Sequence, residues 1–208
     1  MAELKIIGVP QSTYVRVVRM AAEEKGVPYD LDPQPPHSDP VNAVHPFGKV
    51  PVMRHGDFEL CESRAITSYI DRVFDGPALM PSDPVGAARA EQWISIVNTI
   101  MDQALVRRYF LAGYVYPQRE KRDPDTGVIG AVMPDVERQL GVIESTLANS
   151  SYLSGNGFSL ADINLMPILF YLKGTKEAGA RIDNSPTLTD YYERNSSRPS
   201  FTSTIPPT

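Results

Sequence analysis

Three short stretches near the start of the chain carry residue types and spacings that could do chemistry. The run Gly8-Val9-Pro10-Gln11-Ser12 leaves an apolar segment, ELKIIGV, and leads into residues of helical spacing. A helix N-terminus presents N–H groups without intrahelical partners and the positive end of the helix dipole, so a hydroxyl there sits in an anion site. Ser12 has a competing job as an N-cap, and Thr13 beside it could cap equally well. The second stretch is Val50-Pro51-Val52. Proline is awkward inside a strand, and a cis bond at a strand start would turn the Val50 backbone outward, free to pair with an extended peptide. The third is Glu62-Ser63, which opens a run whose apolar positions Ala65, Ile66, Tyr69, Ile70, Val73 and Phe74 recur at helical spacing. A serine hydroxyl with a free N–H holds a carboxylate, and a glutamate beside it holds an ammonium. The pair therefore suits the headgroup of an α-amino acid, and read blandly it is a capped helix start.

The elements that must position these residues follow from periodicity and punctuation. Residues 3–9 read as a short buried strand, broken by Gly8 and Pro10. Residues 13–25 read as a helix with Val15, Val18 and Ala22 on one face and Arg16, Arg19, Glu23 and Lys25 mostly on the other, ended by Gly26. Tyr29–Asp32 is a second strand. Residues 33–48 hold five prolines and read as loop with room for one helical turn. Val50–Arg54 and Phe58–Cys61 form a hairpin around His-Gly-Asp, and the Glu62-Ser63 helix follows. The order βαβ, loop, ββα gives a small mixed sheet with helices on its faces. Residues 1–76 make this α/β domain, 77–84 a Pro-rich linker, and 85–208 an all-α helical bundle. In the second part, Ala90, Trp93, Ile94, Val97, Ile100, Met101, Ala104 and Leu105 share one helical stripe, and residues 113–127 interrupt it. A further stripe runs from Ile129 to Leu147 despite Pro134. Another helix begins at Ser159, where Ser159 and Asp162 form a capping-box pattern with Phe158 and Ile163 as a hydrophobic staple. A last helix near 187–195 stops at SSRPS.

Composition narrows the function classes. A net charge of −5 over 208 residues argues against a nucleic-acid partner, whose phosphates demand a basic face. One cysteine and three scattered histidines give neither a disulfide framework nor a metal signature. There is no Cys-x-x-Cys, and Cys61 reads as a small inward-packed residue. The opening MAELKIIGVP has no charged region followed by a long apolar run, and no stretch reaches the length of a membrane span. The expectation is a cytoplasmic protein with no metal and no membrane partner.

The joined string NAVHPFGKVPVMRHGDFELCESRAITSYI, with GVPQS upstream, resembles the glutathione-binding half of the cytosolic glutathione transferases. Pro46, Gly48, Val50, Pro51, Glu62, Ser63, Ala65 and Ile66 fit that family's pattern, and His45 replaces its usual Asn. YLSGNGFSLADINLMPIL and the later RPSF resemble the family's second half, so the resemblance spans nearly the whole chain. The first half looks most like the plant phi class. The resemblance implies a thioredoxin-like first domain, an all-helical second domain, and glutathione as co-substrate. It implies a serine-type glutathione transferase acting in detoxification, which conjugates glutathione to small hydrophobic electrophiles, and a homodimer. Carried across residue by residue, Glu62 and Ser63 would hold the γ-glutamyl end and the Val50 backbone would pair with the cysteinyl residue. Lys49 and His37 would face the glycine carboxylate. His37 is placed by its His-x-x-Pro pattern, while a Lys common next to it in the phi class is Ser38 here.

Ser12 aligns with the catalytic position, where other members carry Tyr or Cys. A cysteine would steer the chemistry to disulfide exchange; serine favours conjugation. Alternatives on the same fold are a glutathione-dependent peroxidase or isomerase and a non-catalytic scaffold. Arg107, Arg108, Tyr109, Phe110, Tyr114 and Tyr116 cluster late in the long helix. With Tyr14, the residues Arg108, Tyr109 and Tyr116 are the candidates for an electrophile pocket; the other reading makes the aromatics core and the arginines solvated.

Overall fold

The structure, a computed structural model, describes residues 3–155 and 157–207. Its contacts divide the chain into two units: the chain up to Ser82 together with the stretch from Ser196 onward, and Asp83–Asn195.

In the first unit the strands are β1 Leu4–Ile7, β2 Tyr29–Asp32, β3 Val52–His55 and β4 Phe58–Cys61, in the sheet order β2-β1-β3-β4. β1 pairs parallel with β2 and antiparallel with β3, and β3 pairs antiparallel with β4. The period of two sorts the side chains. Leu4, Ile6 and Met53 pack against Val15, Val18 and Ala22 of α1 (Thr13–Lys25) and Ile66 and Ile70 of α3 (Ser63–Val73). Ile7 and Val52 turn to the other face and meet Val41 of the one-turn α2 (Asp39–Asn42). Gly26 ends α1 in the left-handed region at φ 68°, which glycine adopts without steric cost.

The basic residues on the second face of α1 do not meet solvent. Arg16, Arg19 and Lys25 are all buried. Lys25 donates to the Asp71 carbonyl at 3.0 Å, and the two arginines are covered by the end of the chain, α10 (Pro199–Thr202) and its flanks. Arg16 Nε donates to the Thr204 carbonyl at 3.1 Å and Nη2 to the Phe201 carbonyl at 3.2 Å, with its guanidinium 4.4 Å from the Phe201 ring centroid. Arg19 Nη2 donates to the Ser203 carbonyl at 3.1 Å. Arg198 forks onto Glu24 at 2.8 and 2.6 Å, and Ser200 donates to the same carboxylate. The desolvation of that carboxyl is outweighed by these donors, which hold it below the usual carboxylate range. Residues 196–207 thus stand with the first unit, whereas the sequence boundary gave 85–208 to the helical half. Helical periodicity cannot reveal that a distant segment supplies carbonyls to two arginines.

The second unit is helical: α4 (Pro84–Ile96), a π-wound helix over Val97–Val115, α5 (Tyr116–Arg119), α6 (Thr126–Leu147), α7 (Leu160–Lys173), α8 (Lys176–Asp183) and α9 (Pro186–Ser196). Apart from one bridge between Tyr152 and Gly155, no strand follows Cys61 among the described residues. Despite the π winding, every residue of the expected stripe except Ile100 is buried. Buried positions step by four, through Val97, Met101, Leu105, Tyr109 and Gly113, and Ile100 is 57% exposed, off the stripe assigned to it. The wider turn also brings residues five apart together: Arg107 Nε donates to the buried Asp102 at 2.9 Å. The interruption placed at 113–127 begins later. Gly113 lies inside the helix, where a Cβ would stand 2.7 Å from Ile129 Cγ1, so it marks a close approach to α6 and not a turn. α7 is buried nearly all round, as its composition predicts.

Candidate active site

The register of the sheet gathers the candidate residues of the first unit at one end. Ile7 pairs with Asp32 and with Val52, and Val52 with Cys61. The chain therefore leaves β1 toward Ser12, leaves β2 toward His37, enters β3 from Lys49 and Val50, and leaves β4 into Glu62 and Ser63, all past the same row of the sheet. No single segment could supply these groups; four strand ends do.

Ser12 is the N-cap of α1. Its Oγ accepts from the Val15 N–H at 3.4 Å, and its own N–H donates to the Val9 carbonyl at 3.1 Å. Thr13 is the first residue of the helix and is buried, so the choice between the two caps falls to Ser12. The cap uses the oxygen's lone pair and leaves the hydroxyl proton to donate elsewhere. Capping and anion binding are thus compatible at this hydroxyl. The turn before it is tight: Gly8 stands at φ 151°, and a Cβ there would lie 2.9 Å from the Val50 Cβ. This contact joins the Ser12 loop to the second stretch. Val50 precedes a cis Pro51 and stands outside the β3 ladder, which begins at Val52.

His37 is exposed and sits at φ 64°. Its N–H donates to the Gly48 carbonyl at 2.8 Å, and Asn42 Nδ2 donates to the His37 carbonyl at 2.9 Å. A Cβ on Gly48 would stand 2.2 Å from His37 Nδ1, so only glycine lets the imidazole lie there. Lys49 is exposed next to it. A neutral or charged imidazole and an ammonium lie along one stretch of loop, where a carboxylate could be met.

Glu62 occupies the cap position of α3 at φ 71°, ψ 115°, a conformation rare for a residue with a side chain, and its side chain makes no cap hydrogen bond. The bland reading of Glu62-Ser63 as a side-chain cap therefore does not describe this helix start. Ser63 is the first helical residue and is buried, while the Glu62 side chain is 70% exposed. Glu62 Oε1 lies 3.4 Å from Nε2 of the buried His45. The sequence offered no signal for this contact beyond the His-Pro-x-Gly turn itself.

The residues offered for an electrophile pocket do not share one environment. Tyr14 is half-buried on α1 of the first unit. In the second unit Tyr109 is fully buried, with its hydroxyl 2.9 Å from Thr175 Oγ1 and accepting from the Ala178 N–H at 3.1 Å. It follows the core reading and not the pocket reading, because its polar end is already satisfied inside. Arg108 is exposed and pairs with Asp135 at 2.8 Å, and Tyr116 is exposed on the short α5. Among the described residues no cluster of His, Cys, Asp or Glu is placed to hold a metal ion, and no helix is long and apolar enough to cross a membrane.

The family pattern for the glutathione S-transferase N-terminal domain matches residues 6–78, and that for the glutathione S-transferase C-terminal domain matches residues 104–199. A relative, glutathione S-transferase 3 from Zea mays, is 31% identical over 99% of this chain and 94% of its own. The chain belongs to the glutathione S-transferase family. Among solved structures, glutathione transferase F7 from Populus trichocarpa is 30% identical, with a TM-score of 0.85 over 97% of each chain. Glutathione S-transferase I from maize, solved with an atrazine–glutathione conjugate, is 26% identical, with a TM-score of 0.85 over 97% of this chain and 95% of that one. The first unit is accordingly the thioredoxin-like domain of a glutathione S-transferase and the second its helical domain, and the plant relatives agree with the phi-like character of the first half.

Proposed function

We propose that this glutathione S-transferase binds glutathione at the common end of its four strands and uses Ser12 to stabilise the glutathione thiolate for attack on small hydrophobic electrophiles. The observation that carries the reading is the gathering of Ser12, Val50, and Glu62 with Ser63 past the row Ile7, Val52 and Cys61. A free thiol has a pKa near ~8.5, so little is thiolate at neutral pH. The Ser12 hydroxyl, at the positive end of α1, donates to the sulfur and lowers that pKa. Serine neither ionises nor attacks. Glu62 takes the γ-glutamyl ammonium, Ser63 and the α3 N–H groups take its carboxylate, the Val50 backbone pairs with the cysteinyl residue, and His37 and Lys49 meet the glycine carboxylate. The thiol proton passes to water, and the sulfur forms the new bond to the electrophilic carbon: an aryl halide loses its halide with the electron pair, whereas an isothiocyanate adds the sulfur at carbon while its nitrogen takes up a proton. Such chemistry needs no metal and fits the reducing cytoplasm.

The test is a panel at saturating glutathione: an aryl halide, an isothiocyanate and an organic hydroperoxide. Turnover of the first two is the expected result. Turnover of the hydroperoxide alone would make the protein a peroxidase, and the absence of both turnover and glutathione binding would overturn the reading.

We further propose a homodimer, supported by Phe47, 71% exposed at the tip of the loop before β3, and by the half-exposed Phe58, whose ring lies tilted 4.9 Å from that of Tyr69 of α3. Light scattering at micromolar concentration should give the dimer mass, and Phe47→Ser should shift the population toward monomer; a monomeric unmodified chain would contradict this.

A further inference from the structure

We propose that His45 is a positioning residue that holds the Glu62 carboxylate where it meets the γ-glutamyl ammonium. The inference rests on the reading of Glu62 as a glutathione ligand. His45 opens the turn His45-Pro46-Phe47-Gly48, closed by the Gly48 N–H donating to the His45 carbonyl at 2.9 Å. Its ring doubles back on that turn, and Nδ1 accepts from the Phe47 N–H at 3.1 Å. This is the work of the side-chain oxygen in an Asx-turn, done by an imidazole nitrogen. An Nδ1 that accepts carries no proton, so the proton of the neutral ring is on Nε2. Nε2 is the atom that faces Glu62 Oε1 at 3.4 Å. The backbone thus sets the tautomer, and the tautomer leaves the ring's one N–H on the nitrogen nearest the carboxylate, 3.4 Å from Oε1.

Glu62 needs such a partner. It stands at φ 71°, makes no cap bond and is largely exposed. A free glutamate side chain there would sample several rotamers, and binding an ammonium would require ordering it first. Among the described residues, His45 is the one side chain in polar contact with this carboxylate. Its ring is buried and its rotamer is fixed by the Phe47 bond, so it is a rigid post against which the glutamate can rest. An Asn in its place would supply the same acceptor to Phe47, but its amide is shorter and carries no donor as far as Nε2. The imidazole therefore joins the turn to the ligand-binding carboxylate in one residue.

The two ring nitrogens can be separated by substitution. His45→Asn keeps an acceptor for the Phe47 N–H and removes the distant donor. His45→Gln keeps a donor at the distant position and removes the acceptor. Reduced glutathione is titrated calorimetrically into the full-length protein carrying each change, alone and combined with Glu62→Gln. Binding by His45→Asn should be about two- to fivefold weaker, the size of effect expected for a largely exposed charged partner, with the thermal midpoint unchanged. In the Glu62→Gln background the same change should leave affinity unaltered, because there is no carboxylate to position. His45→Gln should bind more tightly than His45→Asn while melting earlier, because the turn has lost its acceptor. Equal losses in both backgrounds, or no loss with Glu62 present, would overturn the role. A failure of the unmodified chain to bind glutathione is a separate result, which removes the glutathione site and this role together.

Discussion

Ser12→Ala should lower turnover roughly 10- to 150-fold at neutral pH and leave glutathione affinity nearly unchanged. The magnitude is that of one hydrogen bond to a charged acceptor, about 1.5–3 kcal/mol, expressed on the fraction of thiol ionised. The geometry makes the change clean. The Ser12 oxygen accepts from the Val15 N–H at a long 3.4 Å, so its loss as a cap costs the helix little, about 0.5–1 kcal/mol. The groups assigned to the tripeptide ends come from other strand ends and are untouched. The sign with pH follows from the same cause. Ser12 lowers the thiol pKa; without it the thiol titrates closer to its free value, so part of the lost rate returns as pH rises through that value. Ser63→Ala should do the reverse, weakening binding with little effect on thiol ionisation. The measurement is a pH–rate profile at saturating glutathione for both variants, with bound-thiolate absorbance as an independent readout. An unchanged profile and absorbance in Ser12→Ala would reduce Ser12 to a cap and pass the sulfur to Thr13, Tyr14 or backbone N–H groups.

How much of this was legible in the chain depends on where each determinant lies. The strand ends were readable because Gly8, Pro10 and Pro51 interrupt apolar runs, and each interruption falls beside a candidate residue. The functional end of the sheet was therefore written locally, in three separate places, and only pairing register was needed to bring them together. The burial of the α1 arginines was not legible, because their partners are carbonyls of residues 201–204, groups that every residue possesses and that no side-chain pattern can announce. The stripe of the long helix was legible at Ala90, Trp93, Ile94, Val97, Met101, Ala104 and Leu105, all buried, and failed only at Ile100, which lies where the chain winds as a π-helix. His45 was visible only as an unusual residue in a familiar turn; its contact with Glu62 depends on a ring rotamer fixed by the Phe47 N–H. The aromatic and basic cluster could not be resolved from composition because Tyr109 and Tyr116, seven residues apart, take opposite roles, one buried and satisfied, the other exposed.

The Ser159–Asp162 capping box was legible in the sequence, its contacts with Leu153 and Tyr191 were not, and the motif carries the largest stability effect. Asp162 should be the least replaceable carboxylate among those described: Asp162→Ala is expected to cost about 3–5 kcal/mol. Its oxygens accept from the Leu153 N–H at 3.0 Å, the Tyr191 hydroxyl at 2.8 Å, the Ser159 N–H at 3.0 Å and the Ser159 hydroxyl at 3.2 Å. Burial pushes this carboxyl up, and the four donors pull it back toward the charged form. Asp162, Ser159 and Tyr191 are all buried, so removing the carboxylate leaves donors that water cannot reach. Each orphaned buried donor costs about 1–3 kcal/mol, and relaxation recovers part of the total. Asp162→Asn should be nearly as damaging, because an amide offers one accepting oxygen and turns an N–H₂ toward groups that themselves donate. The motif holds three elements at once: the start of the buried α7, the chain at Leu153 and α9 through Tyr191. For a chain of this length the loss corresponds to a fall in thermal midpoint of roughly 6–20 °C. Calorimetric melting of the two variants, beside Ser159→Ala as a milder change that keeps the carboxylate, is the measurement. Midpoints for Asp162→Ala and Ser159→Ala within about 2 °C of the unmodified protein would mean that the network is satisfied by water, and that the cap contributes no more than an exposed helix start.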